Sequence, residues 1–241
     1  MNAITAKLKE LEEENNVTIL FACEAGSRAF GYEHENSDRD IRFIYKHDLD
    51  WYLTVFPEAD VLEMNSEKVE FHGWDIKKTI YLIGKSNPSI LEWFISPTIY
   101  KEAEVVKMLR ELSTDCFSVK SLMFHYINLG RTNLKHQANR SDHKRLLYAL
   151  KSILFGRWVL ENESLPKGTL PKLLQESAVH DHIKLQGITL FRRETLREPE
   201  RLIGNLEEEL FQLEKKARLL KEKRVMDQNK MNCIFQSIVR R

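Results

Sequence analysis

At 241 residues and 28.4 kDa, with 42% hydrophobic and 30% charged residues, the chain has ordinary globular composition; this excludes a wholly disordered, collagenous or membrane-spanning protein and predicts one to two domains. The net charge of +1 hides an asymmetry, because residues 1–109 hold 12 basic and 20 acidic side chains whereas residues 110–241 hold 25 and 16. An acidic first part and a basic second part suit carboxylates that hold cations and a surface that holds phosphates.

The first predicted element is an amphipathic helix over Ile4 to Glu14, with Ile4, Leu8 and Leu11 at helical spacing. The β-branched and aromatic run Val17 to Cys23 reads as a buried strand that enters the turn Ala25-Gly26-Ser27. In the segment Asp38 to Tyr45, Ile41, Phe43 and Tyr45 share one parity, so this is a second strand with Asp38 and Asp40 at its start on one face. Lys68 to Ile76 is the third strand, with Val69, Phe71, Gly73 and Asp75 on one parity. A helix from Lys77 to Ser86 follows, and Asn87-Pro88 opens another that Ser96-Pro97 closes. Past Leu109 no period-2 run recurs, which predicts an α/β part over residues 1–112 and a mostly helical part over residues 113–241.

In that second part, Leu146, Leu147, Leu150, Ile153, Leu154, Trp158 and Val159 form the broad apolar face of a helix over Asp142 to Glu161. Near the C-terminus, Leu202, Leu206, Leu210, Leu213, Ala217, Leu220 and Arg224 recur in steps of three and four, a long amphipathic helix suited to packing on its own domain or to homo-oligomers. Three scattered cysteines, Cys23, Cys116 and Cys233, fit neither a disulfide framework nor zinc knuckles and read as reduced thiols. His125, His136 and His143 show no zinc-binding spacing. With no apolar run of spanning length and a charged N-terminus, the expected location is the cytoplasm, with no membrane partner.

The chemistry-bearing constellation is Gly26-Ser27, then Asp38-Arg39-Asp40, then an acid on the following strand. Two carboxylates on one strand face joined by a third can hold two divalent cations about 3.5 to 4 Å apart, as in-line nucleotidyl displacement requires, and oxygen ligands suit Mg2+ or Mn2+. Asp75 is the expected third acid from strand alternation, with Glu70 on the opposite parity as the alternative. Gly26 lets the backbone approach closely, and exposed N–H groups with the Ser27 hydroxyl suit triphosphate oxygens. Arg28 fits either a phosphate clamp or an ion pair, and Arg42 reads as the counter-ion of the acids. On the basic helix, Lys144, Tyr148 and Lys151 share one stripe suited to a nucleotide, and Arg131, Lys135, Arg140 and Arg145 add positive charge suited to RNA.

Gly26-Ser27-Arg28-Ala29-Phe30-Gly31, Ser37-Asp38-Arg39-Asp40-Ile41-Arg42-Phe43 and Asn87-Pro88-Ser89-Ile90-Leu91-Glu92-Trp93 resemble the predicted nucleotidyltransferases associated with RNA repair pathways, within the DNA polymerase beta-like superfamily. The resemblance covers most of residues 20–100 and continues weakly through Lys144 to Trp158. It implies a nucleotidyltransferase-type mixed sheet, α/β (α+β), followed by a helical domain. It implies two Mg2+ ions at Asp38, Asp40 and Asp75, with Asp75 as base toward the acceptor. An NTP bound by Gly26, Ser27, Arg28, Lys144, Tyr148 and Lys151 would pass its nucleoside monophosphate to that acceptor, an RNA end, and release pyrophosphate. Arg39 departs from the apolar residue that many superfamily members carry between the acids. Two rivals differ in class: nucleotidylylation of a protein hydroxyl, as in toxin-paired transferases, and a non-catalytic nucleotide or RNA sensor.

Overall fold

The computed structural model describes residues 3–56, 58–66, 68–135, 142–221 and 226–241. The chain divides into two compact units, one of Met1–Phe117 with Arg224–Arg241 and one of Ser118–Lys223. The first unit runs α1 (Ala3–Asn15), β1 (Thr18–Ala25), α2 (Gly26–Ala29), β2 (Arg39–Lys46), α3 (Leu49–Tyr52), β3 (Val61–Ser66), β4 (Val69–Asp75), α4 (Ile76–Gly84), α5 (Pro88–Phe94), β5 (Ile99–Glu102) and α6 (Val106–Asp115). The second holds α7 (Val119–Lys135), α8 (His143–Asn162), α9 (Leu170–Glu176), α10 (Asp181–Phe191) and α11 (Pro199–Leu219). Then α12 (Gln228–Val239) rejoins the first. The architecture is the expected mixed sheet with helices, followed by a helical part.

Five strands form one sheet in the order β3-β4-β2-β1-β5. Pairing of β2 with β4 is parallel, and every other pairing is antiparallel. Alternation along β2 and β4 sets Ile41, Phe43, Tyr45 and Phe71 on one face and more polar, half-buried residues on the other. On one, Ile41, Phe43, Tyr45 and Phe71 pack with Ile4, Leu8 and Leu11 of α1. On the other, α4 and α5 cover the sheet, with Trp93 stacked on Trp74 at 4.1 Å between ring centroids and Phe94 edge-on to Phe21 at 5.7 Å. The start of α5 is fixed by Asn87, whose side-chain oxygen accepts from the Ser89 N–H at 2.9 Å, and by Pro88 in the first turn.

Two departures from the sequence reading have physical causes. Strands β3 and β5 were not expected. Both are edge strands whose residues are exposed or half-buried, so neither shows an apolar alternation. The boundary expected at 112/113 falls inside α6, and the tail expected in the helical part instead packs with the first unit through α12. There Met231 lies against Gly84 and the Phe235 ring meets Tyr52 edge-on at 5.2 Å.

Within the second unit, Leu202, Leu206, Leu210, Leu213 and Ala217 of α11 are buried, and α11 packs on α7 and α8. Its expected apolar stripe is therefore covered inside the unit. Leu220 caps the helix, and Arg224 lies outside the described residues. Among the described residues no helix is long and apolar enough to cross a membrane.

At Gly73 the Phe43 ring occupies the space of a side chain: a Cβ there would come 2.1 Å from a ring carbon. Gly73→Ala is expected to destabilise the protein by about 1–3 kcal/mol, as overpacking does. Calorimetric melting of that variant, alone and with Phe43→Leu, checks this, with the double variant recovering part of the loss.

Candidate active site

β1 ends where β2 and β4 begin, and this sheet end gathers the acids. Ala25, the last residue of β1, is level with Asp40 on β2, and Asp40 is level with Glu70 on β4. Side chains level with one another on paired strands point to the same face, so Asp40, Arg42, Glu70 and His72 share the face opposite the α1 core. The contacts agree. One Arg42 nitrogen lies 2.6 Å from the Glu70 carboxylate and the other 3.3 Å from that of Asp40. Arg42 is thus the counter-ion of the acids, as its parity predicted, and it joins two strands.

Gly26 follows at φ +64°, a left-handed conformation that favours glycine. A Cβ on Gly26 would stand 1.8 Å from an oxygen of Asp40. The turn therefore runs directly against the Asp40 carboxylate, with Ser27 next in α2. Arg28 donates to the Ser37 carbonyl at 3.0 Å, tying the far end of the polar loop, just before Asp38, back to the turn. Asp38 is exposed, one residue ahead of β2. Burial pushes the Asp40 carboxyl above its ordinary range, opposed by Arg42 and reinforced by the charges of Glu70, Glu24 and Asp38. Among the described residues no three of His, Cys, Asp and Glu converge into a ready-made metal cage. Instead, Arg42 stands between Asp40 and Glu70.

Asp75 lies elsewhere. It is level with Tyr45, on the core parity, five residues beyond Glu70, or roughly 16 Å at strand rise. Only 1% exposed, it caps α4 by accepting from the Lys77 N–H at 2.7 Å, and it accepts from the Tyr52 hydroxyl at 2.6 Å. The structure brings Glu70, not Asp75, beside Asp40. The sequence carried the signal: Phe71 and Gly73 mark the core parity of β4, so the acid on the opposite parity matches Asp40.

Arg39, the departure from the family pattern, pairs with buried Glu24 at 2.7 Å, and Tyr100 also bonds Glu24. A polar cluster thus replaces the apolar packing expected between the acids. Lys144, Tyr148 and Lys151 lie along α8 in the second unit, respectively exposed, half-buried and buried, and Lys151 sits 5.0 Å over the Phe155 ring. Of the other basic residues, Arg131 pairs with Glu214 and Arg145 with Asp142, Lys135 is exposed, and Arg140 and His136 lie outside the described residues.

Residues 1–237 match the model of the RNA repair pathway DNA polymerase beta family, RlaP. The chain belongs to this family. A curated relative, an uncharacterized protein, YcgL, of Bacillus subtilis, is 35% identical over 194 residues, covering 79% of this chain and 75% of its own. A solved structure, a nucleotidyltransferase-like protein from Exiguobacterium sibiricum, aligns over 99% of this chain and 80% of its own at 13% identity and a TM-score of 0.38. Family membership accords with the strand-end acids and the Gly26-Ser27 turn.

Because burial raises the Asp75 pKa above the ordinary 3.8, the native state holds that proton more tightly than the unfolded chain does. Its stability contribution is present at low pH and is lost as pH rises through the elevated value. Asp75→Asn, which keeps a capping oxygen, should flatten the fall of melting temperature with rising pH across that window, as calorimetry at a series of pH values would show.

Proposed function

We propose that this protein transfers a nucleoside monophosphate from an NTP to the hydroxyl of an RNA end. The acceptor oxygen forms a bond to the α-phosphorus as the bond from that phosphorus to pyrophosphate breaks. The observation that carries this reading is the seating of the Gly26-Ser27 turn against Asp40, with Glu70 level beside it. A phosphate grip placed against a carboxylate pair would repel its own ligand unless cations lay between them.

Asp38, Asp40 and Glu70 are the proposed holders of Mg2+ or Mn2+, and their hard oxygen donors suit either ion. When bound, such ions neutralise phosphate charge and align the displacement. Arg42 neutralises carboxylate charge alone, through contacts of 2.6 Å to Glu70 and 3.3 Å to Asp40. Gly26 and Ser27 hold the β and γ phosphates, Arg28 fixes the loop that carries Asp38, and Glu70 takes the proton of the acceptor hydroxyl. Asp75 is assigned to the α4 cap. By itself, the second unit has a basic composition that suits RNA. Free thiols, with Cys23 and Cys116 buried and Cys23 pushed up to about 12 by burial, suit the reducing cytoplasm.

The test incubates the protein with Mg2+, each α-labelled NTP and total cellular RNA. Label is expected in RNA. Asp40→Asn and Glu70→Gln should each lower transfer at least about a hundredfold, the scale of losing one group that stabilises the transition state, whereas Asp75→Asn should retain transfer. Label on protein would move the acceptor to a protein hydroxyl. Metal-dependent NTP binding with no transfer to RNA or to protein would favour a sensor.

A further inference from the structure

The sheet order gives the reaction a direction. The turn that grips phosphate follows β1, on one side of β2, while Glu70 lies on β4, on the other. In an in-line displacement the attacking and leaving oxygens lie on opposite sides of phosphorus. With pyrophosphate departing on the β1 side, the acceptor arrives over β4.

On β4, in step with Glu70 on the same face, come His72 and Trp74, and these line an open cleft of about 630 Å³ together with Glu63, Lys78, Asn87 and Ser89. That volume lies within the roughly 300–1,000 Å³ of ligand sites. Trp74 is held in two ways. Its indole N–H donates to the Nε2 of His72 at 2.8 Å, and its ring stacks on Trp93. The His72 Nδ1, 2.8 Å from the Glu63 carboxylate, must then carry the imidazole proton, because Nε2 is already accepting. The chain Glu63–His72–Trp74 thus fixes an aromatic plate half-exposed in a polar cleft, and Lys78, held by Asp60 at 2.8 Å, adds positive charge beside it. A base with its phosphate would use the plate, the hydrogen-bonding groups and the charge together.

Resting on the proposed transferase reading, we infer that this cleft is the acceptor subsite, in which the terminal nucleoside of a single-stranded RNA stacks on Trp74 and presents its hydroxyl toward Glu70. Trp74 is a binding residue, and His72 and Glu63 are positioning residues that act through it.

Fluorescence anisotropy of a 5′-fluorescein RNA of about 12 random nucleotides, on the full chain, tests this. Trp74→Ala should weaken RNA binding about tenfold, the scale of one lost stacked base, and Trp74→Phe should remain within about threefold of wild type. Ser89→Trp, which fills the cleft from an exposed position away from the core, should weaken RNA binding while melting as the wild type does. Metal-dependent NTP binding should be unchanged in all three. RNA binding at wild-type strength in both Trp74→Ala and Ser89→Trp overturns the inference, as does a wild-type protein that binds no RNA and labels a protein. The acid site is tested separately: if metal-dependent NTP binding survives Asp40→Asn, the transferase reading falls, whatever the cleft binds.

Discussion

Two carboxylates level with each other on adjacent strands repel, and Asp40 and Glu70 are placed so by the parallel register of β2 and β4. Arg42, one step further along β2, bonds both. Without it, pairing at the start of these strands would carry uncompensated charge at a half-buried site, where like charges cost more than they do in water. The raised Asp40 pKa shows that the compensation is partial, since burial and three neighbouring acids still press the carboxyl toward its neutral form. Charge repulsion therefore persists at this sheet end despite Arg42. The fold confines that repulsion to one end of one face, because the remainder of that face lies beneath α4 and α5.

Most of this arrangement was legible in the sequence, and the failures have definite causes. β1, β2 and β4 announced themselves through alternation or β-branched runs, and α5 through Asn87-Pro88. β3 and β5 stayed silent because an edge strand with half-wet residues such as Glu63, Asn65 and Lys101 has no apolar parity to read. That Glu70 rather than Asp75 lies beside Asp40 was hidden for a different reason. Alternation tells which residues of one strand share a face, but which face of one strand adjoins which face of the next depends on direction and register. Once Ile41, Phe43 and Phe71 are known to meet in one core, Glu70 follows as the acid on the side of Asp40.

Asp75 shows how a carboxylate in a functional-looking position can be explained locally. It stands at a strand-to-helix junction, where an N-cap is needed, and it satisfies the Lys77 N–H and the Tyr52 hydroxyl while being almost wholly buried. The same junction receives α12: the ring of Phe235 lies against Tyr52, so the C-terminal segment leans on the residue that holds the cap. Distance along the chain therefore misleads about domain membership, because the tail returns to stabilise the strand end farthest from the acids.

The segment Asn87 to Trp93 is a capped helix whose Ile90, Leu91 and Trp93 are buried. Its geometry gives it a second consequence. Trp93 is buried, and its half-exposed neighbour in the stack is Trp74, whose strand also carries Glu70. A helix that must place Trp93 under Trp74 fixes the height of that indole above the sheet. Asn87, which sets where the helix begins, lines the same cleft. A change in the register of α5 would therefore tilt the Trp74 ring, with no acid altered. Substitutions at Ile90 and Leu91 would then shift Trp93 and the ring stacked on it while leaving Asp40 and Glu70 in place, because those acids stand on β2 and β4 and the stack is set by α5.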